Sequence, residues 1–364
     1  TNIANNALLA KISIEDLKFT SFHSLEIKKA CMIADGDTLA NIENIKVNVD
    51  ISPIFQSKYI IRNIELHNGT VKLLRNNYDS LWNFEKIAPP TKTVSKPSTT
   101  QPIINIKRLN FSNITFWLKD STAIDTSSKF NPLDLFAQNL NINLSAYANL
   151  NTNKIRGNIK NISFNEQKNN FNLNSLAILF QIDSTSINIE KLNLRTSNST
   201  INLSGNIGNY SPLSIEKYTD IEKAIFYINA NIDTINSNDL LTFFDLPFNQ
   251  DQVAHIKINA NGNNDKLDIN QFNAQIGDSQ INLTGSLFNF MNDSLNYQAD
   301  IQNSYITKTD LVGFIDANLS GIPDINYINI KELQATGSTR DINGKLDLLT
   351  NAGSIVGDAN FQFN

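Results

Sequence analysis

The chain has 364 residues and a formal net charge of −5, with no extended run of Lys or Arg, so a nucleic-acid-binding surface is not expected. Cys31 is the only cysteine, which excludes a disulfide within the chain and a cysteine-based metal site. Asparagine is unusually frequent, and no apolar run approaches the ~18 residues that a membrane-spanning helix requires.

Residues 1–87 are predicted to form a first β-rich segment. Their apolar residues form two alternating pairs that are separated by two polar residues, and such alternation predicts strands with one apolar and one polar face. The copies in this segment are Ile12, Ile14, Leu17 and Phe19, then Ala40, Ile42, Ile45 and Val47, with a near copy at Tyr59, Ile61, Ile64 and Leu66.

The polar spacer between the two pairs predicts a β-bulge or a sharp bend. Strict alternation would place the second pair on the polar face, and one extra residue returns it to the apolar face. Because each bulge adds twist and curvature, repeated bulges would coil a long sheet in one sense. The clearest spacers are Glu15-Asp16, Glu43-Asn44, Lys107-Arg108, Glu190-Lys191, Asn270-Gln271 and Lys331-Glu332.

Residues 88–103 interrupt this pattern. They contain Pro89, Pro90, Pro97 and Pro102, four of the nine prolines, with Ser and Thr between them. This composition predicts a solvated linker or a long loop.

Residues 104–364 are predicted to contain repeated β-units. Further copies of the apolar pattern begin at Ile104, Leu135 and Ile328, and the copy at Ile187 recurs without gaps at Leu267. The phrase "INSNDLLTFF" from Ile235 recurs as "ITKTDLVGFI" from Ile306, and the two predict short helices with Ser, Asn or Thr caps. Several strands and one short helix per unit are typical of a repeat architecture.

The predicted fold is therefore all-β, an elongated repetitive sheet curled lengthwise into a hydrophobic groove, with a few short helices. One-sided strands must bury their apolar faces, either as a sandwich, as a barrel or as a solenoid or gutter. Repeats with loops of unequal length favour the elongated form. Periodicity does not separate a filled, structural interior from an open apolar channel.

Catalytic and metal-binding motifs are not found. His23, His67 and His255 are isolated in strand-like sequence, and no Ser-centred local signature accompanies them. No His, Asp or Glu cluster has the spacing of a zinc site, and no Gly-rich phosphate loop occurs. The sequence therefore predicts that the protein is not an enzyme and uses no cofactor or metal.

The order of several phrases resembles the AsmA-like superfamily, and within it the TamB type. They are "KISIEDLKFTSFHSLEIKKACMIADGDTLANIENIKVNVDISPIF", "YIIRNIELHNGTVKLLRNNYDSLWNF", "INIKRLNFSNITFWLKD", the units ending in "SGNIGN" and "TGSLFN", and "DIQNSYITKTDLVGF". The resemblance covers nearly the whole chain. The N-terminal anchoring helix and the C-terminal region of that family are not recognised, so we interpret the chain as an N-proximal fragment.

The resemblance implies a periplasmic protein that is anchored in the inner membrane by an N-terminal helix. It also implies a lengthwise-folded sheet whose groove carries phospholipids towards the outer membrane. Its implied partners are phospholipids and an outer-membrane barrel of the TamA type, with a contribution to outer-membrane protein assembly.

With this resemblance, the apolar-face residues of the repeats become candidates for contact with lipid tails. They are Phe180, Ile182, Ile187, Ile189, Leu192, Leu194, Ile201, Leu203, Ile256, Ile258, Leu267, Ile269, Phe272, Ile281 and Leu283. The alternative is a structural or adhesive β-solenoid whose core these same side chains fill.

Overall fold

The computed structural model describes residues 9–34, 36–53, 57–78, 80–87, 102–123, 129–213, 223–244, 251–290, 295–314, 324–338 and 341–362. The chain divides into two compact units, unit 1 (Thr1–Gln181) and unit 2 (Ile182–Asn364). Both consist almost entirely of β-strands, which confirms the predicted all-β class.

Unit 1 is a sheet in which each strand pairs with the next one along the chain. All pairs that join β1 to β7 are antiparallel except β4–β5, which is parallel. The strands are β1 (Ala10–Ser21), β2 (Ser24–Ala34), β3 (Asp37–Asp50), β4 (Lys58–Arg75), β5 (Ile103–Asp120), β6 (Asp134–Asn149), β7 (Lys154–Glu166) and β8 (Phe171–Ile182), with a 3₁₀ turn at Glu85–Ile87.

The parallel pair lies on either side of the Pro-rich segment. Lys58 pairs with Ile103 at one end and Arg75 with Asp120 at the other. A parallel pair needs a long connection because the chain must return to the end of the sheet where the first strand began. Residues 88–101, most of the predicted linker, lie outside the described residues, but the strands before and after them share one sheet.

Unit 2 is an antiparallel sheet with sequential pairing from β9 to β18. Its elements are β9 (Ser186–Thr196), β10 (Thr200–Gly208), β11 (Ile225–Asn236), α1 (Ser237–Phe243), β12 (Val253–Asn263), β13 (Lys266–Ile276), β14 (Ser279–Phe288), β15 (Asn296–Thr307), α2 (Lys308–Phe314), β16 (Tyr327–Ser338), β17 (Asp341–Thr350) and β18 (Gly353–Gln362).

The predicted repeat and both predicted short helices are present in unit 2. The spacing between the starts of β9 and β13, and that between the starts of α1 and α2, equal the spacings of the corresponding sequence copies. Each helix directly follows a strand, and its first residues are capped. The Asn236 side chain accepts a hydrogen bond from the Asn238 N–H (2.8 Å), and Thr307 Oγ1 accepts one from the Asp310 N–H (3.1 Å).

Four of the six predicted spacers coincide with shifts in strand register. They are Lys107-Arg108, Glu190-Lys191, Asn270-Gln271 and Lys331-Glu332. Each places an extra residue in one strand of a pair, so the apolar residues on both sides of the spacer stay on one face.

The two N-terminal spacers behave differently, because neighbouring strands break at the same level. Glu15 lies opposite Lys29, and Glu43 lies opposite Asn68, but in neither case do the two residues form a β-pair. The pairs on both sides of each interruption keep the same register. Lys29 and Asn68 have φ of 48° and 53°, the left-handed conformation that such a local break requires. The irregularity is thus shared across the strands and is not a bulge in one of them.

Unit 1 contains a filled apolar core next to the interruption at Glu43 and Asn68. Ile42, Ile114 and Leu140 are only 3 %, 1 % and 8 % exposed and form one cluster. Gly69 pairs with both Ile42 and Ile114, and Ile114 pairs with Leu140, so the register brings the three side chains together. The partly buried residues around them are Ile45, Leu66, Val71, Phe111, Phe116, Ile142, Ile162 and Phe164.

Candidate functional site

An unbroken row of directly paired apolar residues crosses nine strands of unit 2. We call it the central row. It consists of Leu192, Leu203, Ala230, Ile258, Phe272, Leu283, Ile301, Leu333 and Leu346, one residue from each strand between β9 and β17. Paired residues on one face have Cβ atoms about 4.5–5.5 Å apart, so the row is a continuous apolar track.

Three further rows flank the central row on the same face. The first row consists of Leu194, Ile201, Ile232, Ile256, Ala274 and Ile281. The second row consists of Ile189, Gly205, Ile228, Ala260, Ile269, Gly285, Ala299, Ala335 and Gly344. The third row consists of Ile187, Ile207, Phe226, Gly262, Leu267, Leu287, Tyr297, Gly337 and Ile342. Together the four rows define the apolar face of unit 2.

The structure brings thirteen of the fifteen predicted residues together on this face. The other two lie in β8, where the Phe180 ring packs over Gly157 of β7 and Ile182 is the last residue of the strand. All fifteen side chains are half-buried. Their contact with lipid stays a prediction.

The sequence pattern missed the contribution of β11, β15 and β17, and its copy at Ile328 includes Leu333 and Ala335 of β16, which were not among the predicted lipid contacts. Phe226, Ile228, Ala230 and Ile232 alternate strictly with polar residues, without the double spacer on which the prediction depended. Simple period-two alternation was the signal that could have found them. Their place in the rows depends on strand register, which the sequence pattern does not give.

The apolar face of unit 2 differs from a filled core in which side chains are buried. The buried hydrophobic residues of the four rows are alanines, such as Ala230 (6 % exposed) and Ala260 (3 %), whereas the large side chains remain half-buried and Ile228 is 41 % exposed. In unit 1 the opposite holds, since Ile114 is fully buried. Among the large side chains of the four rows, therefore, none is fully buried, whereas Ile276 (9 % exposed) and Ile330 (5 %), which lie outside the rows, are buried.

Glycines show that the sheet bends towards its apolar face. A Cβ atom at Gly262 would lie 2.0 Å from the Lys266 carbonyl oxygen, and one at Gly285 would lie 2.2 Å from that of Gln298. Both positions belong to the apolar rows, so the neighbouring backbone leans over that face. Only glycine allows such a close approach. The curvature makes the apolar face concave at these positions.

The opposite face of unit 2 is covered by amide side chains. Asn202 and Asn231 donate hydrogen bonds to the carboxylate of Asp233 (2.9 and 2.6 Å), and Asn273 donates to Asn282 (2.7 Å). These bonds, two of which cross between neighbouring strands, satisfy polar groups at the solvent-facing surface. The abundance of asparagine is therefore partly explained by a polar face that carries little charge.

Each short helix also secures the rim of the apolar face through one aspartate. Asp310 in α2 accepts hydrogen bonds from the Ser279 N–H (2.9 Å) and hydroxyl (2.6 Å) at the β13–β14 turn. Asp239 in α1 accepts the equivalent hydroxyl bonds from Thr196 and Ser199 (both 2.5 Å) at the β9–β10 turn. Burial opposes ionisation of Asp310, but hydrogen bonds from Ser279 and Thr307 outweigh it and hold its pKa below the usual value.

One histidine has closer polar neighbours than the sequence suggested. His67 Nδ1 lies 2.5 Å from Ser112 Oγ, and His67 Nε2 lies 3.5 Å from a Glu65 oxygen. The adjacent Asn113 N–H donates to Asn141 Oδ1 (3.2 Å) and so does not point at an oxyanion position beside Ser112. The three groups form a polar cluster on β4 and β5.

Metal sites and membrane-spanning helices are both absent from the described part of the chain. No three His, Cys, Asp or Glu side chains come together there as a possible metal site. No helix among the same residues is long and apolar enough to cross a membrane.

Comparisons of the chain with protein-family models, with curated proteins and with solved structures find no match. The function is therefore argued from the geometry of unit 2.

Proposed function

We propose that the apolar face of unit 2 binds phospholipid acyl chains and conducts them along the central row. The observation that carries this proposal is the combination of continuity and half-burial: nine paired apolar residues form one track, and its large side chains are not covered. Moving one CH₂ group from water to such a surface gains about 0.8 kcal/mol, so acyl chains favour it strongly.

Continuity allows movement without release into water. Adjacent strands are about 4.8 Å apart, so the eight steps between β9 and β17 span roughly 38 Å along the sheet. At each step an acyl chain exchanges one set of Leu, Ile or Phe contacts for a similar one. The head group remains on the open side in water, so no step requires its desolvation. The track itself supplies no direction.

The cellular setting of the proposal is taken from the family resemblance. In that setting the protein is periplasmic, anchored in the inner membrane through an N-terminal helix, and it delivers phospholipids towards the outer membrane. A barrel of the TamA type is its outer-membrane partner, and outer-membrane protein assembly benefits from the supply.

Site-specific photo-crosslinking tests the proposal. A photoreactive residue at Leu203 or Leu283, both in the central row, should label co-purified phospholipid. The same residue at Asn202 or Asn282 points to the polar face and serves as the matched control. Labelling at the two leucine positions alone supports the track, and equal labelling at all four positions or at none contradicts it.

A filled structural scaffold is the second candidate, and one observation favours it for unit 1. Ile42, Ile114 and Leu140 form a core that leaves no exposed track at their level. If the whole protein were such a scaffold, purified protein would carry no lipid, and mass spectrometry of its organic extract would distinguish the two functions.

A further inference from the structure

A polar cleft crosses the amide face of unit 2, opposite the apolar rows. It consists of two adjacent concavities of ≈ 420 Å³ and ≈ 370 Å³ that share Asn231. Five residues of the apolar rows also border it, each between polar-face neighbours on its strand: Leu192, Leu203, Ile232, Ile256 and Ala274. The first extends over β11 to β14 and the second over β9 to β11. A twisted sheet is saddle-shaped, so a face can be concave along one diagonal even where the sheet bends away from it.

Most amides that line the cleft bond to one another or to Asp233, but two are available to a ligand. Asn229 and Gln275 line it, and neither side chain forms a hydrogen bond within the described residues. Asn231 donates to Asp233, and its own oxygen remains free to accept. An amide presents a donor and an acceptor side by side, which matches the hydroxyl group of a sugar, itself both donor and acceptor.

The charge balance of the cleft disfavours an ionic ligand. Lys191 and Lys257 are matched by Glu190 and Asp233 on the same surface. A phosphate or carboxylate ligand would meet one acidic group for each basic one, so it would gain little net attraction.

One exposed tyrosine neighbours a lining residue of each concavity. Tyr227 precedes Asn229 on the same face of β11, and Tyr305 pairs directly with Gln280, which lines the larger concavity. The Tyr305 ring stacks on Tyr327 with centroids 5.6 Å apart, which fixes its orientation. Aromatic faces offer the apolar surface on which sugar rings pack.

We propose that this cleft binds a neutral glycan chain, whose hydroxyl and acetamido groups pair with the amides. The cleft lies on the face opposite the lipid track, so the inference does not rest on the proposed function. The two ligands would occupy the protein at the same time, with the glycan on the polar face and the acyl chains on the apolar face.

Titration of the whole chain with chitotetraose and maltotetraose, followed by NMR of the side-chain amides, tests the inference. Binding of either glycan is expected, with shifts confined to the cleft. The double variant Asn229→Ala, Gln275→Ala should bind on the order of tenfold more weakly, the equivalent of about two hydrogen bonds. Because neither side chain has an intramolecular partner among the described residues, the variant should fold as the parent does.

The matched control is Gln298→Ala, which removes an exposed amide from the same face outside the cleft. It should bind both glycans as the parent does. The inference is overturned if neither glycan binds, if the double variant binds as tightly as the parent, or if only inorganic phosphate shifts the cleft amides. Lipid labelling at Leu283, which is in the central row and does not line the cleft, should be equal in the double variant and the parent. This result separates a failure of the cleft from a failure of the lipid track.

Discussion

Leu283 and Ile114 show at the level of single residues how an open apolar face differs from a core. Both are apolar strand residues, but Leu283 is half-buried in the central row, whereas Ile114 is 1 % exposed in unit 1. A charge introduced at Leu283 can reach water, and a charge at Ile114 cannot.

We therefore expect Leu283→Asp to lower the free energy of unfolding by about 2 kcal/mol or less, and Ile114→Asp by more than about 4 kcal/mol. Leu283→Asp should nevertheless block most phospholipid transfer between vesicles. Denaturant unfolding and a vesicle transfer assay measure the two effects. Gln280→Glu, which adds the same charge to the polar face of β14, should retain both stability and transfer. Failure of Leu283→Asp to fold would favour a filled core in unit 2.

Asp310 gives a pH-dependent prediction at the same scale. Its pKa is lowered in the folded protein because the hydrogen bonds from Ser279 and Thr307 outweigh the effect of burial. A carboxyl group with a lowered folded pKa stabilises the protein above its unfolded pKa of ~3.9, and that contribution disappears as the pH falls through the folded pKa.

Asp310→Asn should therefore cost about 1–3 kcal/mol at neutral pH, and the difference from the parent should shrink steadily on acidification. Urea unfolding at a series of pH values between neutral and strongly acidic measures this. Ser279→Ala removes the hydroxyl that donates to Asp310 and accepts from the Thr307 N–H (2.9 Å), and it should show a loss with the same pH trend. A difference that stays constant with pH would mean that Asp310 acts without its charge.

Bulges are the feature that keeps the apolar face continuous at the level of secondary-structure elements. Asn270 and Gln271 together lie opposite Thr284, so Ile269 before them and Phe272 after them both stay on the apolar face. Removing one of the two spacer residues would turn every later side chain of β13 to the other face.

Deletion of Gln271 should therefore destabilise unit 2 by more than about 4 kcal/mol, since Phe272 and Ala274 of the apolar rows and the buried Ile276 beyond them would all turn to the other face. Gln271→Ser keeps the residue count and should change stability by less than about 0.5 kcal/mol. Thermal unfolding of the two variants compares them directly. Equal stability of the deletion and the substitution would show that the bulge does not set the register.

The elements themselves were largely predictable from the sequence, because alternation, spacers and helix caps are local signals. The short helices and four bulges occur where the sequence placed them. The row of small residues through Gly205, Ala260 and Gly285 was not predictable, because it exists only after the strands pair. The polar cleft was missed for the same reason, since its amides come from five strands.

The degree of burial was also beyond local sequence reasoning. The same apolar pattern occurs around Ile42, which lies in a core, and around Phe272, which does not. What covers a face depends on distant parts of the chain, and periodicity carries no information about them. A filled interior and an open track therefore have the same sequence pattern, and only the exposure of each side chain distinguishes them.

At the scale of the whole molecule, lipid conduction and local lipid binding make different demands on the central row. Independent sites would each hold an acyl chain, so a charge at one strand would remove about one site in nine. A continuous track would fail as a path if any one strand were blocked, because an acyl chain would have to cross a charged group or leave for water.

Phe272→Asp places that block near the middle of the row. We expect its lipid content to fall by only a small fraction, whereas transfer of a fluorescent phospholipid between donor and acceptor vesicles should fall at least tenfold, since exposing even two CH₂ groups at the block costs about 1.6 kcal/mol. Asn273→Asp, the next residue on the polar face, is the matched control and should transfer lipid at the parent's rate. If transfer by Phe272→Asp fell only in proportion to its lipid content, the residues of the row would act as separate sites, and the protein would bind lipids without conducting them.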